Sequence, residues 1–229
     1  MPLRAVLFDA AGTLIRLREP AGDTYARRAR EFGVVLPPGR LDEAFHRVLR
    51  AAPPMAFPEA PAAEIPALER GWWREVVRQT LRATDGTARL RDFEACFAAL
   101  FADFASASAW AAVPGARAVL DTLRRRGLRL GVVSNFDHRL PGLLAALDLA
   151  APLELVLLPG EARAAKPDPR IFALALERLG VAAADALYVG DDAVHDVAGA
   201  RAAGLRALQV GPAATLADLP RLLEDASPA

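Results

Sequence analysis

The chain is predicted to adopt an α/β fold, in which a parallel sheet is covered by helices and carries an inserted all-helical segment. Three observations favour this class. A short apolar run, residues 5–8, ends at Asp9 and is typical of a buried parallel strand. Residues 113–229 alternate between apolar runs and helical patterns, which indicates a parallel sheet with helical crossovers. Between these regions, residues 17–112 show only helical patterns.

The inserted segment is predicted to hold about four helices, the size of a small bundle. Five prolines between Pro53 and Pro66 predict a loop there. Helical spacing of apolar residues covers 21–32, 41–51, 67–81 and 92–104. Because the first strand needs the later strands as partners, we expect one α/β core domain of 1–16 and 113–229. Residues 17–112 are then a helical domain inserted after the first strand.

The second part of the core contains four predicted strands with helices between them. The strands are predicted at 128–133, 153–158, 186–189 and 206–210. The helices are predicted at 114–126, 139–147, 169–179 and 194–203. Strict alternation of this kind predicts a sheet that is covered on both faces.

The composition excludes several classes of function. Twenty-eight basic side chains balance 28 acidic ones, so no long-range field favours nucleic acid or an anionic membrane. No apolar run reaches the ~18 residues of a membrane span. The one cysteine, Cys96, allows no internal disulfide. We therefore expect a cytoplasmic protein, a monomer or homodimer, that binds neither nucleic acid nor membrane.

Polar side chains follow the ends of the predicted strands. In a parallel sheet these ends share one edge, so residues distant in sequence converge there. Carboxylates in one cleft repel each other unless a cation lies between them, and oxygen ligands without His or Cys favour Mg²⁺. A lysine and a serine hydroxyl suit the oxygens of a phosphoryl group. The residues are Asp9, Ser134, Asn135, Lys166, Asp191 and Asp196, and Lys166 is the only lysine of the chain.

Four stretches at these positions resemble, in order, the four signature motifs of the haloacid dehalogenase superfamily: FDAAGTL, VVSNFD, AAKPDPRIF and YVGDDAVHD. The helical insertion resembles the type 1 cap of that superfamily. The stretches LIRLREPAGDTYARRAREFG and GWWREVVRQT resemble a narrower branch, that of haloacid dehalogenase-like hydrolase domain-containing protein 3. The resemblance implies a Rossmann-like core, a cap that closes over the cleft, and a Mg²⁺-dependent hydrolase acting on a small phosphorylated metabolite.

The resemblance also implies a role for each site residue. Asp9 would be the nucleophile, forming an aspartyl-phosphate, and would also bind Mg²⁺. Ser134, Asn135 and Lys166 would bind the phosphoryl group, and Lys166 would neutralise charge on Asp9 as well. The remaining metal ligands would be Asp191 directly, Asp196 through water and Ala11 through its backbone carbonyl.

Ala11 departs from the pattern of the superfamily's phosphatases. They carry a second aspartate there, which protonates the leaving group and then activates water. Alanine keeps the carbonyl but removes the proton carrier, and a positioned general acid or base contributes ~10²–10⁴ in rate. Glu19, Asp23 and His46 of the insertion are candidate replacements, and the sequence does not choose among them.

Several activities therefore compete. A slow Mg²⁺-dependent phosphatase leads, and its rival is a phosphate- or metabolite-binding protein that lost turnover at Ala11. A 2-haloacid dehalogenase is disfavoured, because such enzymes carry an aromatic residue at that position and need no acidic cluster. Phosphonoacetaldehyde hydrolases require a lysine in the cap, and residues 17–112 contain none.

Overall fold

The computed structural model describes residues 3–85, 90–211 and 215–225. The strands found there are β1 (Ala5–Phe8), β2 (Ile15–Leu17), β3 (Trp110–Ala112), β4 (Arg129–Val133), β5 (Leu155–Leu157), β6 (Ala186–Gly190) and β7 (Arg206–Gln209). The α-helices are α1 (Ala21–Glu31), α2 (Pro38–Ala51), α3 (Ile65–Arg82), α4 (Phe93–Ala105), α5 (Ala116–Arg125), α6 (Leu140–Ala146), α7 (Pro159–Ala162), α8 (Pro169–Leu179), α9 (Gly199–Ala202) and α10 (Leu219–Asp225). Within the described ranges, no helix is both long enough and apolar enough to cross a membrane.

Five strands form the main sheet, in the order β5-β4-β1-β6-β7, and every neighbouring pair is parallel. The first strand of the chain is the central one, and all four of its residues are buried. The backbone N–H of Asp9 donates to the carbonyl of Val189 at 2.9 Å, which extends the pairing beyond the strand end. The predicted α/β fold class is confirmed.

A core of apolar side chains joins this sheet to α8. Leu7, Val133 and Tyr188 of three neighbouring strands belong to the same cluster as Ile171 and Phe172 of the helix. Strands covered in this way are apolar along their whole length, which is why residues 5–8 lack an alternating pattern. The helix therefore fixes the central strands from which the polar edge extends.

The chain divides into two compact units. As far as their residues are described, the α/β unit is Met1–Arg16, Met55–Ala62 and Ala112–Ala229, and the helical unit is Leu17–Pro54 and Ala63–Ala111. Residues 55–62 thus group with the α/β unit, although the prediction assigned them to the inserted domain. The Arg163 guanidinium donates from Nη1 to the carbonyl of Phe57 at 2.8 Å, one of the contacts that hold this segment.

The helical unit has an apolar core formed by α1 to α4, which includes Tyr25, Leu81 and Cys96. At its surface the Arg28 guanidinium bonds both carboxylate oxygens of Asp103, with Nε–Oδ2 at 2.7 Å and Nη2–Oδ1 at 2.5 Å. This unit is therefore held by apolar packing and by ion pairs such as this one.

Two short strands occur in the region that was predicted to lack them. Strand β2 pairs with β3 in a separate two-stranded sheet, so the prediction of no strand between residues 16 and 112 is wrong. Each strand has only three residues, too few to show a period-two pattern in the sequence. The chain forms these strands where it leaves and re-enters the α/β unit.

Candidate active site

Asp9 lies directly beyond the carboxyl end of the central strand. Asp9 is buried, with only 6% of its surface exposed. Burial raises the pKa of Asp9, Lys166 opposes this rise, and the neighbouring carboxylate of Asp196 adds to it. The nearby Ser134 side chain lowers the pKa of Asp9, as Lys166 does. The topology therefore places a buried carboxylate at the edge where α/β proteins bind ligands.

The ammonium group of Lys166 makes three hydrogen bonds at the centre of the site. Its Nζ donates to Asp9 Oδ1 at 2.6 Å, to Asp196 Oδ1 at 2.6 Å and to the Tyr188 hydroxyl at 2.9 Å. Burial opposes its charge, but the two carboxylates outweigh burial and raise the pKa of Lys166. Since an ammonium group has three protons, the contacts of Lys166 use all of its donors.

Three carboxylates surround this ammonium group. Oxygens of Asp9, Asp191 and Asp196 lie within 4.8 Å of one another. Desolvation and the charges of Asp9 and Asp196 raise the pKa of Asp191 to about 6, although Asp191 is the most exposed of the three. With one ammonium group among three ionised carboxylates, the cluster has two negative charges in excess. A hard divalent cation such as Mg²⁺ fits both the oxygen donors and this charge.

The turn after Asp9 brings Asp191 into the cluster. The Thr13 hydroxyl donates to Asp191 Oδ1 at 3.1 Å. Gly12 has a φ of +99°, and a Cβ atom at this position would collide with the Asp191 carboxylate. Glycine is therefore required for two reasons, its backbone conformation and the close approach of a carboxylate. Ala11 is exposed, and its methyl group offers no proton donor or acceptor.

Asn135 contacts the backbone of Lys166 with both ends of its amide. Its Oδ1 accepts from the Lys166 N–H at 2.8 Å, and its Nδ2 donates to the Lys166 carbonyl at 2.8 Å. This reciprocal pair resembles one rung of a β-ladder and fixes the loop that carries the lysine. The neighbouring Ser134 is 3% exposed at the end of β4.

Asp196 is turned towards the cluster by the helical turn Ala193–Ala198, which has π-helical geometry. Its Oδ2 accepts from the backbone N–H of Asp192 at 3.0 Å, and the residue is 1% exposed. Asp192 itself caps this turn, since its Oδ1 accepts from the N–H groups of Val194 at 2.8 Å and His195 at 2.7 Å. The structure thus brings together all six polar residues expected at this edge.

The candidate replacements for a proton carrier lie in the helical unit. Glu19 accepts hydrogen bonds from Thr24 at 2.7 Å and from Arg27 at 2.8 Å. These bonds lower the pKa of Glu19, so its carboxylate is ionised at neutral pH. His46 lies 3.6 Å from the Asp42 carboxylate on its own helix.

Tyr188 is a member of the cluster that the sequence reasoning missed. It lies on β6 with no exposed surface, and its hydroxyl donates to the carbonyl of Val133 at 2.6 Å. Burial raises the pKa of its phenol well above the usual value, so the group keeps its proton. A signal was available, because a tyrosine inside a buried strand requires a hydrogen-bond partner and Asp191 follows three residues later.

Comparisons with known proteins agree with this architecture. Residues 3–204 match the family model of the haloacid dehalogenase-like hydrolases. Haloacid dehalogenase-like hydrolase domain-containing protein 3 of Mus musculus is 37% identical over 210 residues, which cover 92% of this chain and 82% of the relative. Phosphoserine phosphatase of Thermus thermophilus is 38% identical over 156 residues, which cover 66% of this chain and 59% of that protein.

Solved structures show the same fold. L-2-haloacid dehalogenase from Xanthobacter autotrophicus superposes with a TM-score of 0.68 at 21% identity, covering 98% of this chain and all of that one. A HAD phosphatase from Thermococcus onnurineus superposes with a TM-score of 0.64 at 24% identity, and the match covers 96% of this chain and 98% of that one. At these identities the likeness concerns the fold alone. The family model and the relatives that span the chain confirm the resemblance seen in the four motifs. The chain belongs to the haloacid dehalogenase-like hydrolases, in the branch of haloacid dehalogenase-like hydrolase domain-containing protein 3.

Proposed function

We propose that the α/β unit is a Mg²⁺-dependent phosphatase that acts on a small phosphorylated metabolite through an aspartyl-phosphate on Asp9. The observation that carries this proposal is the position of one fully bonded ammonium group, Lys166, between Asp9 and Asp196. The named phosphatase relative supports a phosphorylated substrate. We further propose that residues 17–112 are the cap and supply selectivity for a small molecule.

The metal would be held by side-chain oxygens of Asp9 and Asp191, by the carbonyl of Ala11, and by Asp196 through water. When bound, Mg²⁺ would offset the excess charge of the carboxylates and that of the phosphoryl oxygens. The raised pKa of Asp191 supports this part of the proposal, because desolvation and, after it, the charges of Asp9 and Asp196 disfavour its ionised form, and a bound cation would offset both.

In the first step, a carboxylate oxygen of Asp9 forms a bond to phosphorus while the bond from phosphorus to the leaving oxygen breaks. Lys166 stays protonated throughout, since its pKa is raised, and it stabilises negative charge near Asp9. The Ser134 hydroxyl, which lies near Asp9, would donate to an oxygen of the transferring group. A leaving group that is stable as an anion, such as a phenolate, needs no proton from the protein.

In the second step, water attacks phosphorus, the bond from phosphorus to Asp9 breaks, and inorganic phosphate leaves. The attacking water must give its proton to solvent or to a phosphoryl oxygen, because Ala11 has no group to accept it. Glu19 is a weak base because its pKa is lowered by Arg27 and Thr24. We therefore expect slow hydrolysis and accumulation of the aspartyl-phosphate.

A second function is favoured by the same alanine. A protein that retains the carboxylates and Lys166 but lacks the proton carrier could bind a phosphorylated ligand without turning it over. This alternative predicts saturable binding with Mg²⁺ and catalysis close to the uncatalysed rate.

Turnover of a broad panel of phosphomonoesters, with and without Mg²⁺, tests the proposal. We expect slow Mg²⁺-dependent phosphate release by the wild type, and none by Asp9→Asn. Ala11→Asp should raise turnover of alkyl phosphates by ~10²–10⁴, because it restores a proton carrier. Ala11→Asn is the matched control, because asparagine has the size of aspartate but no acidic proton to transfer. This variant should show no gain in turnover.

The outcomes separate the two functions. If the wild type releases no phosphate from any ester but binds beryllofluoride with Mg²⁺, the phosphatase is refuted and the binding protein is supported. If the wild type turns over and Ala11→Asp gives no gain, the slow second step is refuted.

A further inference from the structure

Tyr188 is the third partner of the Lys166 ammonium group, and its hydroxyl has a second bond on the other side. The hydroxyl lies 2.9 Å from Lys166 Nζ and 2.6 Å from the carbonyl oxygen of Val133. A phenol has one proton, and a carbonyl oxygen can only accept. Asp196 Oδ1 lies 3.2 Å from the same hydroxyl and can also only accept. The Tyr188 proton therefore goes to one of these two acceptors, of which the Val133 carbonyl is the nearer, and the phenol oxygen accepts from Lys166.

This chain of bonds joins three parts of the site. Val133 is the last residue of β4 and precedes Ser134, while Tyr188 stands on β6 and Lys166 follows α7. The phenol thus fixes the ammonium group relative to two strands on either side of the strand that ends at Asp9.

The tyrosine ring is itself held in place. It has no exposed surface and packs edge-on against Phe172 of α8, with ring centroids 5.1 Å apart. The hydroxyl cannot follow the lysine if the lysine moves, because the ring sits in a close-packed core. A rigid acceptor of this kind limits the positions open to the ammonium group.

We propose that Tyr188 is a positioning residue that holds the Lys166 ammonium group against Asp9. Charge attraction between the carboxylates and the ammonium group has little directional preference, whereas the hydrogen bond to the rigid phenol fixes the position of the ammonium group. The expected effect of Tyr188 on the reaction rate rests on the proposed function. Its expected effect on the position of Lys166 rests on the structure alone.

The single lysine of the chain allows a direct test on the metal-free protein. Protein produced without added lysines and labelled with ¹⁵N at lysine Nζ contains one side-chain ammonium signal, and its loss in Lys166→Arg assigns it. We expect Tyr188→Phe to shift this signal and to speed exchange of its protons with water about tenfold, because one buried hydrogen bond is removed. An unchanged signal and exchange rate in Tyr188→Phe would overturn the proposal.

Tyr25→Phe is the matched control. Tyr25 is the other tyrosine of the chain and is 1% exposed in the helical unit. Both variants lose one buried hydroxyl, but only Tyr188→Phe removes a partner of Lys166. A Lys166 signal that changes equally in Tyr25→Phe would point to a general loosening and would also overturn the proposal.

Kinetics then test the consequence for the reaction. With an aryl phosphate, we expect Tyr188→Phe to lower kcat about tenfold with little change in KM, and to have no further effect in a Lys166→Met background. An equal loss in both backgrounds would contradict action through Lys166. If the wild type has no turnover, the proposed function fails, while the Lys166 signal still tests the inference on its own.

Discussion

A surface ion pair of the helical unit and the buried charged cluster of the α/β unit differ in burial and in charge balance. In the helical unit, Arg28 and Asp103 pair at the surface, with 28% and 19% of their side chains exposed. In the α/β unit, Lys166 pairs with Asp9 and Asp196 where no more than 9% of any of these side chains is exposed. A surface pair adds little to stability, whereas buried charges cost free energy unless every one is compensated. The buried group is not fully compensated, which is expected of a site kept for chemistry rather than for stability.

The largest expected effect is on the free energy of unfolding, and it distinguishes the buried ion pairs from the surface ion pair. Lys166→Met leaves two buried carboxylates without their cation and should lower the free energy of unfolding by about 3–5 kcal/mol. Arg28→Met removes a cation at the surface and should cost about 0.2–1 kcal/mol. Urea denaturation of the metal-free proteins measures both.

Removal of the orphaned charges provides the control. Adding Asp9→Asn and Asp196→Asn to Lys166→Met should recover much of the lost stability, since the only ionised carboxylate left in the cluster is then Asp191, which is exposed and bonded to Thr13. Equal losses for Lys166→Met and Arg28→Met would refute the contrast between buried and surface charges.

Glycine substitutions should have an intermediate effect and test how closely the turn approaches Asp191. Gly12 and Gly127 both have positive φ, +99° and +78°, but a Cβ atom at Gly127 would meet nothing within 4 Å. Each change to alanine should cost about 1–2 kcal/mol of backbone strain. Only Gly12→Ala should also weaken Mg²⁺ binding, by roughly 10–100-fold, because it displaces Asp191.

Calorimetric titration with Mg²⁺ measures this difference. Equal Mg²⁺ affinity of Gly12→Ala and the wild type would show that Asp191 does not bind the metal in the position seen here.

The smallest effect concerns Glu19 and depends on pH. The folded pKa of Glu19 lies below its ordinary value, so its stabilising contribution is complete at neutral pH and is lost as pH falls below about 4.5. Glu19→Gln should therefore be slightly less stable than the wild type at pH 7 and equal to it in acid. The difference should shrink in high salt, since 45% of the side chain is exposed.

The same variant tests the proton carrier. Glu19→Gln should leave kcat unchanged, because an ionised carboxylate has no proton to donate. A large fall in kcat would identify Glu19 as the replacement for the missing aspartate.

The sequence predicted most elements of the fold because long elements carry a repeating pattern. The parallel sheet followed from continuous apolar runs that alternate with helical patterns, and α1 to α4 followed from apolar periodicity. Strands β2 and β3 were missed because they are short and lie outside the region of strand and helix alternation. The loop predicted for 53–66 ends in a helix that begins at Ile65, since proline is tolerated in the first turn.

The site was predicted in part for a different reason. Strand ends indicate which polar residues converge, so Asp9, Lys166 and Asp196 could be expected together. The sequence does not reveal which atoms meet. Asn135 was expected to bind phosphate, and both ends of its amide contact the Lys166 backbone. Tyr188 lies in the strand predicted at 186–189 and was given no role, whereas its hydroxyl accepts the third hydrogen bond of Lys166. The roles of these residues in the reaction stay predictions.

The central claim is that Asp9 becomes phosphorylated and that Ala11 delays its release. The most direct measurement is mass spectrometry of wild-type protein, quenched in acid during turnover of an aryl phosphate with Mg²⁺. We expect the mass of one phosphoryl group on the peptide that contains Asp9, together with a burst of phenol release, and less of both in Ala11→Asp. Steady turnover with no burst and no adduct on that peptide would contradict the account.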